Sequence, residues 1–357
     1  MRITELFNSK NIAIEQTQVA SNEIPYLGAG LFPTQKKMGL DLAWIKTAKG
    51  LAVSLNPSAF DTVSALRSRE GFKQEKTQMA YFKESMLVKE QDRQDMLRVK
   101  EASDPYAQEI LSHVYDDANT LIAGAKVVPE RMRMSLLANA NGKPSISISA
   151  DGATYAYDYD PTGDYQANNF KALSGTSEWS DTVNSDPMKD IEDAQDAVEA
   201  KTGSRPSILV ISKATMNLLK QNDKIKNYIL AQNTTATVMV TDERVKNIFS
   251  AELGVTIVVY TKLYKDETGA VKKFYPDGMA TLIPTGALGK TWFGTTPEEA
   301  TLMEDSNYDC TLVDNVAVTV VNSVDPVQTK TIVSEIVLPS YERIMETYML
   351  KVGTVAY

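Results

Sequence analysis

The last third of the chain alternates between short β-branched runs and turn-forming residues. Valines stand at every second position from Val316 to Val320, and the residues between them are small or apolar. A strand with apolar groups on both faces is typical of a buried position in a sheet. A second run, Val327–Leu338, follows a break at Ser323–Pro326, and Pro339 is expected to end it because proline has no amide to donate. The pattern predicts that residues 314–322 and 327–338 form neighbouring strands.

A helical period begins after residue 103. Asp104-Pro105 provides a polar cap followed by proline in the first turn. Behind it, apolar residues recur at helical spacing, and the predicted helix runs from Asp104 to about Val127. Its stripe of Ile110, Val114 and Leu121 is expected to pack on a sheet from the C-terminal third.

Pro129 is predicted to break or kink this helix, because proline removes an amide donor and its ring clashes with the preceding turn. A helical pattern resumes over Glu130–Asn139 and stops at Asn141-Gly142.

Residues 145–159 are predicted to form a hairpin. Asp151-Gly152 is a strong two-residue turn signal, since both central residues favour positive φ. This register places Ile148 opposite Tyr155 and Ile146 opposite Tyr157.

An α/β alternation follows a polar connector at 174–186 and predicts a compact α/β domain. Its predicted elements are a helix from Asp186-Pro187 to Gly203, a strand at Ser207–Ser212, helices around Met216–Leu219 and Ile225–Leu230, a helix at Val245–Leu253 and a strand at Val255–Tyr260.

The most charged stretch, residues 61–101, leaves two interpretations open. Its interspersed charges are compatible with a solvated helix, but Gly71-Phe72 and the Met79–Phe82 run interrupt any steady helical period. The alternative is an extended hairpin over residues 50 to 83 that reaches off the body.

Composition narrows the class of protein. The 357 residues are 43% apolar, so a sizeable core is possible. The formal charge of −9 argues against tight binding to a phosphate backbone. Cys310 is the only cysteine, which excludes an intramolecular disulfide and a thiolate metal cluster. Without a signal peptide pattern or a run of roughly 20 apolar residues, we expect a cytosolic protein that does not enter membranes.

Candidate chemistry is sparse. His113 is the only histidine, and it falls on the flank of the predicted helix. No Gly-x-Ser-x-Gly motif occurs, and pairs such as Asp92/Asp95 and Glu298/Glu299 lack calcium-loop spacing, so we expect them to be solvated. We therefore predict no catalytic, cofactor-binding or metal-binding residues, no cofactor and no enzyme activity. A carboxylate-based hydrolase remains a distant alternative.

Three C-terminal segments carry a resemblance to a known family. Phe274–Gly286 (FYPDGMATLIPTG), Phe293–Glu299 (FGTTPEE) and Ser334–Val352 occur in the order and spacing of the lambda-type E major capsid proteins of tailed bacteriophages. The chain is similar to this family over most of its length. The resemblance implies an α+β tailed-phage major capsid fold, with an N-terminal arm, an extended E-loop, a peripheral domain with a long spine helix and β-sheet, and an α/β axial domain.

The implied boundaries follow from the predicted elements. They are 1–47 for the arm, 48–101 for the E-loop and its flanks, 102–186 with 290–340 for the peripheral domain, and 187–289 with 341–357 for the axial domain.

The function implied by the resemblance is structural. Copies would assemble into hexamers and pentamers of an icosahedral head that encloses double-stranded DNA without binding it specifically. The implied partners are further copies, a separate scaffolding protein, a portal at one vertex and a decoration protein. The protein would end in the virion after assembly in the bacterial cytoplasm. An encapsulin-like shell, which shares the fold, is the alternative.

Contacts between copies are predicted for the charged segment. Basic residues interleaved with aromatic ones are hard to place in a single-chain core, and acidic positions on the spine helix of an adjacent copy would complement them. The predicted contact residues are Arg67, Arg69, Phe72, Lys73, Tyr81 and Lys83, with Glu109, Asp116 and Asp117 on the helix.

Overall fold

The computed structural model describes residue 9 and residues 24–45, 74–88, 90, 106–150, 153–231, 240–303 and 309–357. For residues 106–117 it describes the backbone and not the side chains. Within these ranges the helices, numbered in chain order, are α1 (Leu27–Leu31), α2 (Tyr106–Leu137), α3 (Asp164–Asn168), α4 (Pro187–Thr202), α5 (Lys213–Gln221), α6 (Asp223–Ala231), α7 (Asp242–Leu253) and α8 (Pro297–Leu302).

The strands are β1 (Thr34–Lys36), β2 (Asp41–Ile45), β3 (Gln74–Gln78), β4 (Ala80–Val88), β5 (Ser145–Ala150), β6 (Ala153–Asp158), β7 (Phe170–Ala172), β8 (Ile208–Ile211), β9 (Thr256–Val259), β10 (Leu263–Lys265), β11 (Val271–Lys273), β12 (Asp277–Ile283), β13 (Gly289–Phe293), β14 (Asp309–Val313), β15 (Val316–Val324), β16 (Val327–Tyr341) and β17 (Tyr348–Ala356).

The central sheet is built around β16. Its strand order is β1-β13-β16-β15-β14. Strand β4 also pairs with β16, over residues 329–337, and β13 pairs with residues 337–341 of the same strand. The pairing of β15 with β16 runs from Ala317–Ser334 to Val324–Val327 and confirms the predicted neighbouring strands. One face of this sheet packs on α2, where Leu121 contributes to a buried cluster with Val318 and Val333. The predicted packing on a C-terminal sheet is thereby confirmed for Leu121, whereas the side chains of Ile110 and Val114 lie outside those described.

The prediction that Pro339 ends its strand is wrong. Strand β16 continues to Tyr341, and Pro339 pairs with Thr291 of β13. The amide of Gly294 donates to the carbonyl of Ile336, so the hydrogen-bonded pairs along this ladder fall at every second residue and skip position 339. The ladder therefore needs no amide from Pro339, and the strand tolerates the proline.

The helix also extends past its predicted end. Helix α2 continues to Leu137 with Pro129 inside it. The turns after Pro129 are held by side chains that are almost fully buried, among them Met132, Leu136 and Leu137. An internal proline costs a helix about 3 kcal/mol, and burial of three large apolar side chains is sufficient to offset that.

A second sheet has the order β7-β17-β12-β8-β9. Its strands β8 and β9 are the strands of the predicted α/β alternation. Helix α4 begins at an Asp186 cap and ends at Gly203, whose φ of 68° is the left-handed conformation that glycine favours. Its side chains form a core with those of the neighbouring strands and of α5, α6 and α7. The division of the chain into arm, E-loop, peripheral and axial domains stays a prediction.

The hairpin at 145–159 is confirmed as β5 and β6. Ile148 lies opposite Tyr155 and Ile146 opposite Tyr157. Ala150 pairs with Ala153, which leaves two residues for the turn. The turn residues themselves, Asp151 and Gly152, lie outside the described residues.

Candidate assembly site

The predicted contact residues are described only in part. Arg67, Arg69, Phe72 and Lys73 lie outside the described residues, and Glu109, Asp116 and Asp117 belong to the stretch of α2 whose side chains are not described. The same holds for His113. Tyr81 and Lys83 lie on β4, where they pair with Ile336 and Ser334 of β16. Both side chains contact one carboxylate of their own chain, that of Glu298. Their role between copies stays a prediction.

Glu298 lies in the first turn of α8, which the Thr296 hydroxyl caps by accepting from the amide of Glu299. The residue is 7% exposed, so the expectation of a solvated acidic pair at Glu298/Glu299 is wrong for Glu298. Lys83 Nζ lies 2.5 Å from Glu298 Oε1, and Tyr81 donates to the same oxygen at 3.0 Å.

The Glu298 carboxylate also accepts from the Ser334 hydroxyl, at 2.9 Å. Burial alone would raise the pKa of Glu298, but the hydrogen bonds from Lys83, from the backbone amide of Glu298 and from Ser334 and Tyr81 outweigh it and hold that pKa below its ordinary value. The group is therefore a charged carboxylate that joins α8 to β4 and β16 across one face of the central sheet.

A second buried carboxylate holds the N-terminal segment on the body. Glu130 of α2 is fully buried and accepts from the amide of Gly28 at 2.9 Å and from the hydroxyl of Tyr260 at 2.8 Å. Its ion pair with Arg133 measures 3.3 Å. A Cβ at Gly28 would lie 2.5 Å from Glu130 Oε2, so the close approach requires glycine there.

The same segment continues as a strand of the central sheet. Strand β1 pairs in parallel with β13, with Thr34 opposite Thr291. The Thr291 hydroxyl donates to the carbonyl of Phe32 at 2.9 Å and accepts from Arg133 Nε at 2.8 Å. Burial lowers the pKa of Arg133, and the Glu130 carboxylate counteracts this. Residues 24–36 are thus held by their own chain.

A third carboxylate has a different environment. Glu335 follows Ser334 on β16 and is 1% exposed, yet neither carboxyl oxygen has a hydrogen-bond partner among the described residues. Successive side chains of a strand point to opposite faces, so Glu335 points to the α2 side of the sheet. Burial raises the pKa of Glu335 well above its ordinary value, although the charge of Arg133 acts in the opposite direction. Burial therefore favours the neutral form of this carboxyl group over the charged form.

The sequence offered signals for two of these groups. Thr296-Pro297 reads as a helix start, and Glu335 interrupts an apolar run. Neither signal predicts that the carboxyl group is buried. The burial of Glu298 depends on strands more than 30 residues away in the sequence, and the burial of Glu335 depends on helix α2. No pattern in the sequence indicated the Glu130–Arg133 pair.

Exposed apolar side chains gather at the end of the β15–β16 hairpin. Val324 is 87% exposed, and Val321, Val327 and Leu87 of the adjoining strands are also exposed. In the register of the sheet, Lys330 lies between Val321 and Leu87. A group of exposed apolar side chains is typical of a surface that binds another protein.

The described residues contain no cluster of three or more histidine, cysteine or acidic side chains that could hold a metal ion. Among the helices of the described ranges, none combines the length and the apolar character of a membrane span.

Comparison with known proteins places these features in context. The family described as phage major capsid protein E matches residues 14–352. A crystal structure from Escherichia coli CFT073, assigned as a prophage capsid protein, is 14% identical with a TM-score of 0.59, covering 97% of this chain and 99% of that one. A phage-related protein from Bordetella bronchiseptica RB50 is 14% identical with a TM-score of 0.56, covering 96% of each chain. At these identities the two structures show a shared fold. No curated protein matches the chain in sequence.

Proposed function

This chain belongs to the phage major capsid protein E family, and we propose that its copies assemble into hexamers and pentamers of an icosahedral head that encloses double-stranded DNA. The match over residues 14–352 carries this proposal. As a capsid protein it belongs to the virion, and we place its assembly in the cytoplasm of the host.

The contacts between copies are assigned to two parts of the molecule. One is the predicted segment of residues 50 to 83, with Arg67, Arg69, Phe72 and Lys73 facing Glu109, Asp116 and Asp117 of an adjacent copy. The other is the exposed apolar end of the β15–β16 hairpin around Val324. A single exposed ion pair contributes at most about 1 kcal/mol, but a closed lattice repeats each contact many times.

The partners follow from the same assignment. A separate scaffolding protein would direct assembly, a portal would occupy one vertex, and a decoration protein could bind the outer surface. The net charge of −9 supports a wall that encloses DNA without binding it tightly.

Neither alternative function is favoured. An encapsulin-like shell has the same type of fold but not the family match. A carboxylate-based hydrolase needs two carboxyl groups that flank a substrate, whereas Glu298 and Glu335 are buried and point to opposite faces of one sheet. We propose that the protein acts as a structural subunit and not as an enzyme, in keeping with its family.

Expression of the chain alone and together with its neighbouring genes tests the proposal. Electron microscopy and sedimentation should show closed shells, and particles from infected cells should contain nuclease-protected DNA. Protein cargo in place of DNA would favour the encapsulin-like shell. A chain that stays monomeric with all of its neighbouring gene products would contradict the assembly proposal.

A further inference from the structure

A two-stranded ribbon carries the predicted contact segment. Strands β2 and β3 pair antiparallel, from Asp41–Gln78 at one end to Ile45–Gln74 at the other. Chain connectivity requires residues 46–73 to begin and end at the Ile45–Gln74 end. The opposite end is the base of the ribbon, where one residue, Met79, separates β3 from β4 of the central sheet.

The base is fixed by the β5–β6 hairpin. Tyr157 donates from its hydroxyl to the carbonyl of Gln78 at 2.9 Å. The Tyr155 hydroxyl donates to the carbonyl of Tyr81 at 3.2 Å and accepts from the amide of Tyr81 at 3.3 Å. These bonds lie on either side of Met79, at the point where the chain passes from ribbon to sheet.

Tyr159 follows the end of β6 and continues the alternation of Tyr155 and Tyr157. It contacts β2, the other strand of the ribbon. The ring of Tyr159 stacks on Trp44 of β2, with centroids 5.5 Å apart and planes inclined by 29°. Its hydroxyl donates to the carbonyl of Pro339 at 2.5 Å. Trp44 pairs with Glu75, one residue from the Ile45–Gln74 end, so Tyr159 connects the far part of the ribbon to β16. Ile146 and Ile148, on the same face of the hairpin, are buried and hold it against the body.

The passage point itself is packed tightly. Met79 is 4% exposed, and its amide donates to the carbonyl of Leu40 at 2.9 Å. A Cβ at Gly294, the residue after β13, would lie 2.6 Å from Ile336 Cγ2 and 3.0 Å from Met79 Cε, so the close packing around Met79 and Ile336 requires glycine there.

A small rotation at the base of the ribbon produces a larger movement at its far end. A ribbon strand of five residues is roughly 17 Å long. A rotation of about 10° at its base moves the far end by roughly 3 Å, which is enough to break a hydrogen bond. The contacts at the base and the stacking of Tyr159 on Trp44 therefore together fix where residues 46–73 can meet another copy.

We propose that Tyr155, Tyr157 and Tyr159 are positioning residues that set the direction of the ribbon and, through it, the geometry of contacts between copies. This rests on the proposed assembly through residues 50 to 83. The hydroxyls of Tyr155 and Tyr157 bond to backbone atoms of the ribbon base, so they hold its path whatever side chains the ribbon carries.

The test is the double variant Tyr155→Phe/Tyr157→Phe, which keeps both rings and removes both hydroxyls. Tyr357→Phe, at a tyrosine that is 53% exposed at the end of the chain, is the matched control. Amide exchange at Tyr81, thermal unfolding and particle diameters by electron microscopy are measured for the wild type and each variant.

The double variant should exchange the Tyr81 amide about tenfold faster, unfold within a few degrees of the wild type, and form fewer closed shells with a broader range of diameters. The control should match the wild type in all three. Unchanged exchange at Tyr81, or unchanged shells despite faster exchange, would overturn the positioning role. If wild type and control also fail to assemble, the proposed function fails, whereas exchange at Tyr81 still tests the hydroxyl contacts.

Discussion

The two faces of the central sheet treat a buried carboxyl group in opposite ways. On the α8 face, Glu298 has hydrogen bonds from Lys83, Tyr81 and Ser334, and its pKa is held below the ordinary value. On the α2 face, Glu335 has no hydrogen-bond partner among the described residues, and burial raises its pKa well above the ordinary value. Both side chains are less than a tenth exposed. For these two carboxyl groups, the hydrogen bonds that they accept, more than the degree of burial, therefore decide the direction of the pKa shift.

The comparison predicts the largest effect for a new carboxylate on the α2 face. Leu121→Asp puts a charge among Val318, Val333 and Ile122, all of them apolar and buried. The loss of leucine packing and the burial of a carboxyl group without donors should together destabilise the protein by about 4 kcal/mol or more and abolish assembly. Thr120→Asp, at an exposed position of the same helix, is the control. Urea unfolding measures the difference, and wild-type stability of Leu121→Asp would contradict the description of this face.

Removal of the charged group on the α8 face should have the next largest effect. Glu298→Ala leaves the buried hydroxyl of Ser334 without its acceptor and should cost about 2–3 kcal/mol of unfolding free energy. Glu299→Ala is the matched control, since Glu299 lies in the same turn and pairs with the partly exposed Lys36. It should cost less than about 1 kcal/mol. Equal costs for the two variants would show that the donors at Glu298 do not matter.

The two groups should also respond to pH with opposite signs. Glu335 has a raised pKa in the folded protein, so its contribution to stability is full below the ordinary value near 4.5 and declines as the pH rises above it. Glu335→Gln should therefore match the wild type at pH 4 and exceed it by on the order of 1 kcal/mol at pH 8. Glu298 has a lowered pKa, so its contribution is present above about 4.5 and is lost on acidification.

Unfolding free energies of wild type, Glu335→Gln and Glu298→Ala between pH 3 and pH 8 measure these slopes. The gap between wild type and Glu298→Ala should narrow towards pH 3, while that between Glu335→Gln and wild type should widen towards pH 8. A constant gap for either variant would mean that its carboxyl group does not titrate differently in the folded and unfolded chain.

The smallest effect concerns a single donor. Lys83 is 44% exposed in its side chain, so Lys83→Met should change the unfolding free energy by less than about 1 kcal/mol. The pKa of Glu298 should nevertheless rise, because one of its hydrogen bonds is lost. Carboxyl carbon NMR of Glu298 measures that pKa, with Lys36→Met as the control that removes the partner of Glu299 instead. An unchanged Glu298 titration would mean that Tyr81 and Ser334 suffice to hold the charge.

Local patterns in the sequence predicted the elements that depend on neighbours in the chain. The cap at Asp186, the pairing of Ile148 with Tyr155 and the alternation around Val318 each follow from residues within one element or one turn. The helix does not end before Pro129, because the packing of the following turns outweighs the lost hydrogen bond, and the strand does not end at Pro339, because the ladder needs no amide there. Both reasons lie in the tertiary structure, which local patterns do not show.

The candidate site was less predictable for the same reason. Glu298 and its donors come from three segments of the chain, and the two from β4 lie more than 200 positions away from it. Composition shows which residue types are present, but it does not show that these side chains come into contact. Tyr81 and Lys83 were singled out for a role between copies, and their contact with Glu298 was not foreseen.

Strand β16 has a consequence for how the protein is made. It pairs with β4, β13 and β15, and the second sheet likewise needs β17, which ends at Ala356. A ribosome must therefore translate as far as β16 before the central sheet can close, and as far as β17 before the second sheet can close. Such late closure should keep growing chains on one polysome from joining into shells before they are released. Protease-resistant central sheets in ribosome-arrested chains that end at residue 325 would contradict this.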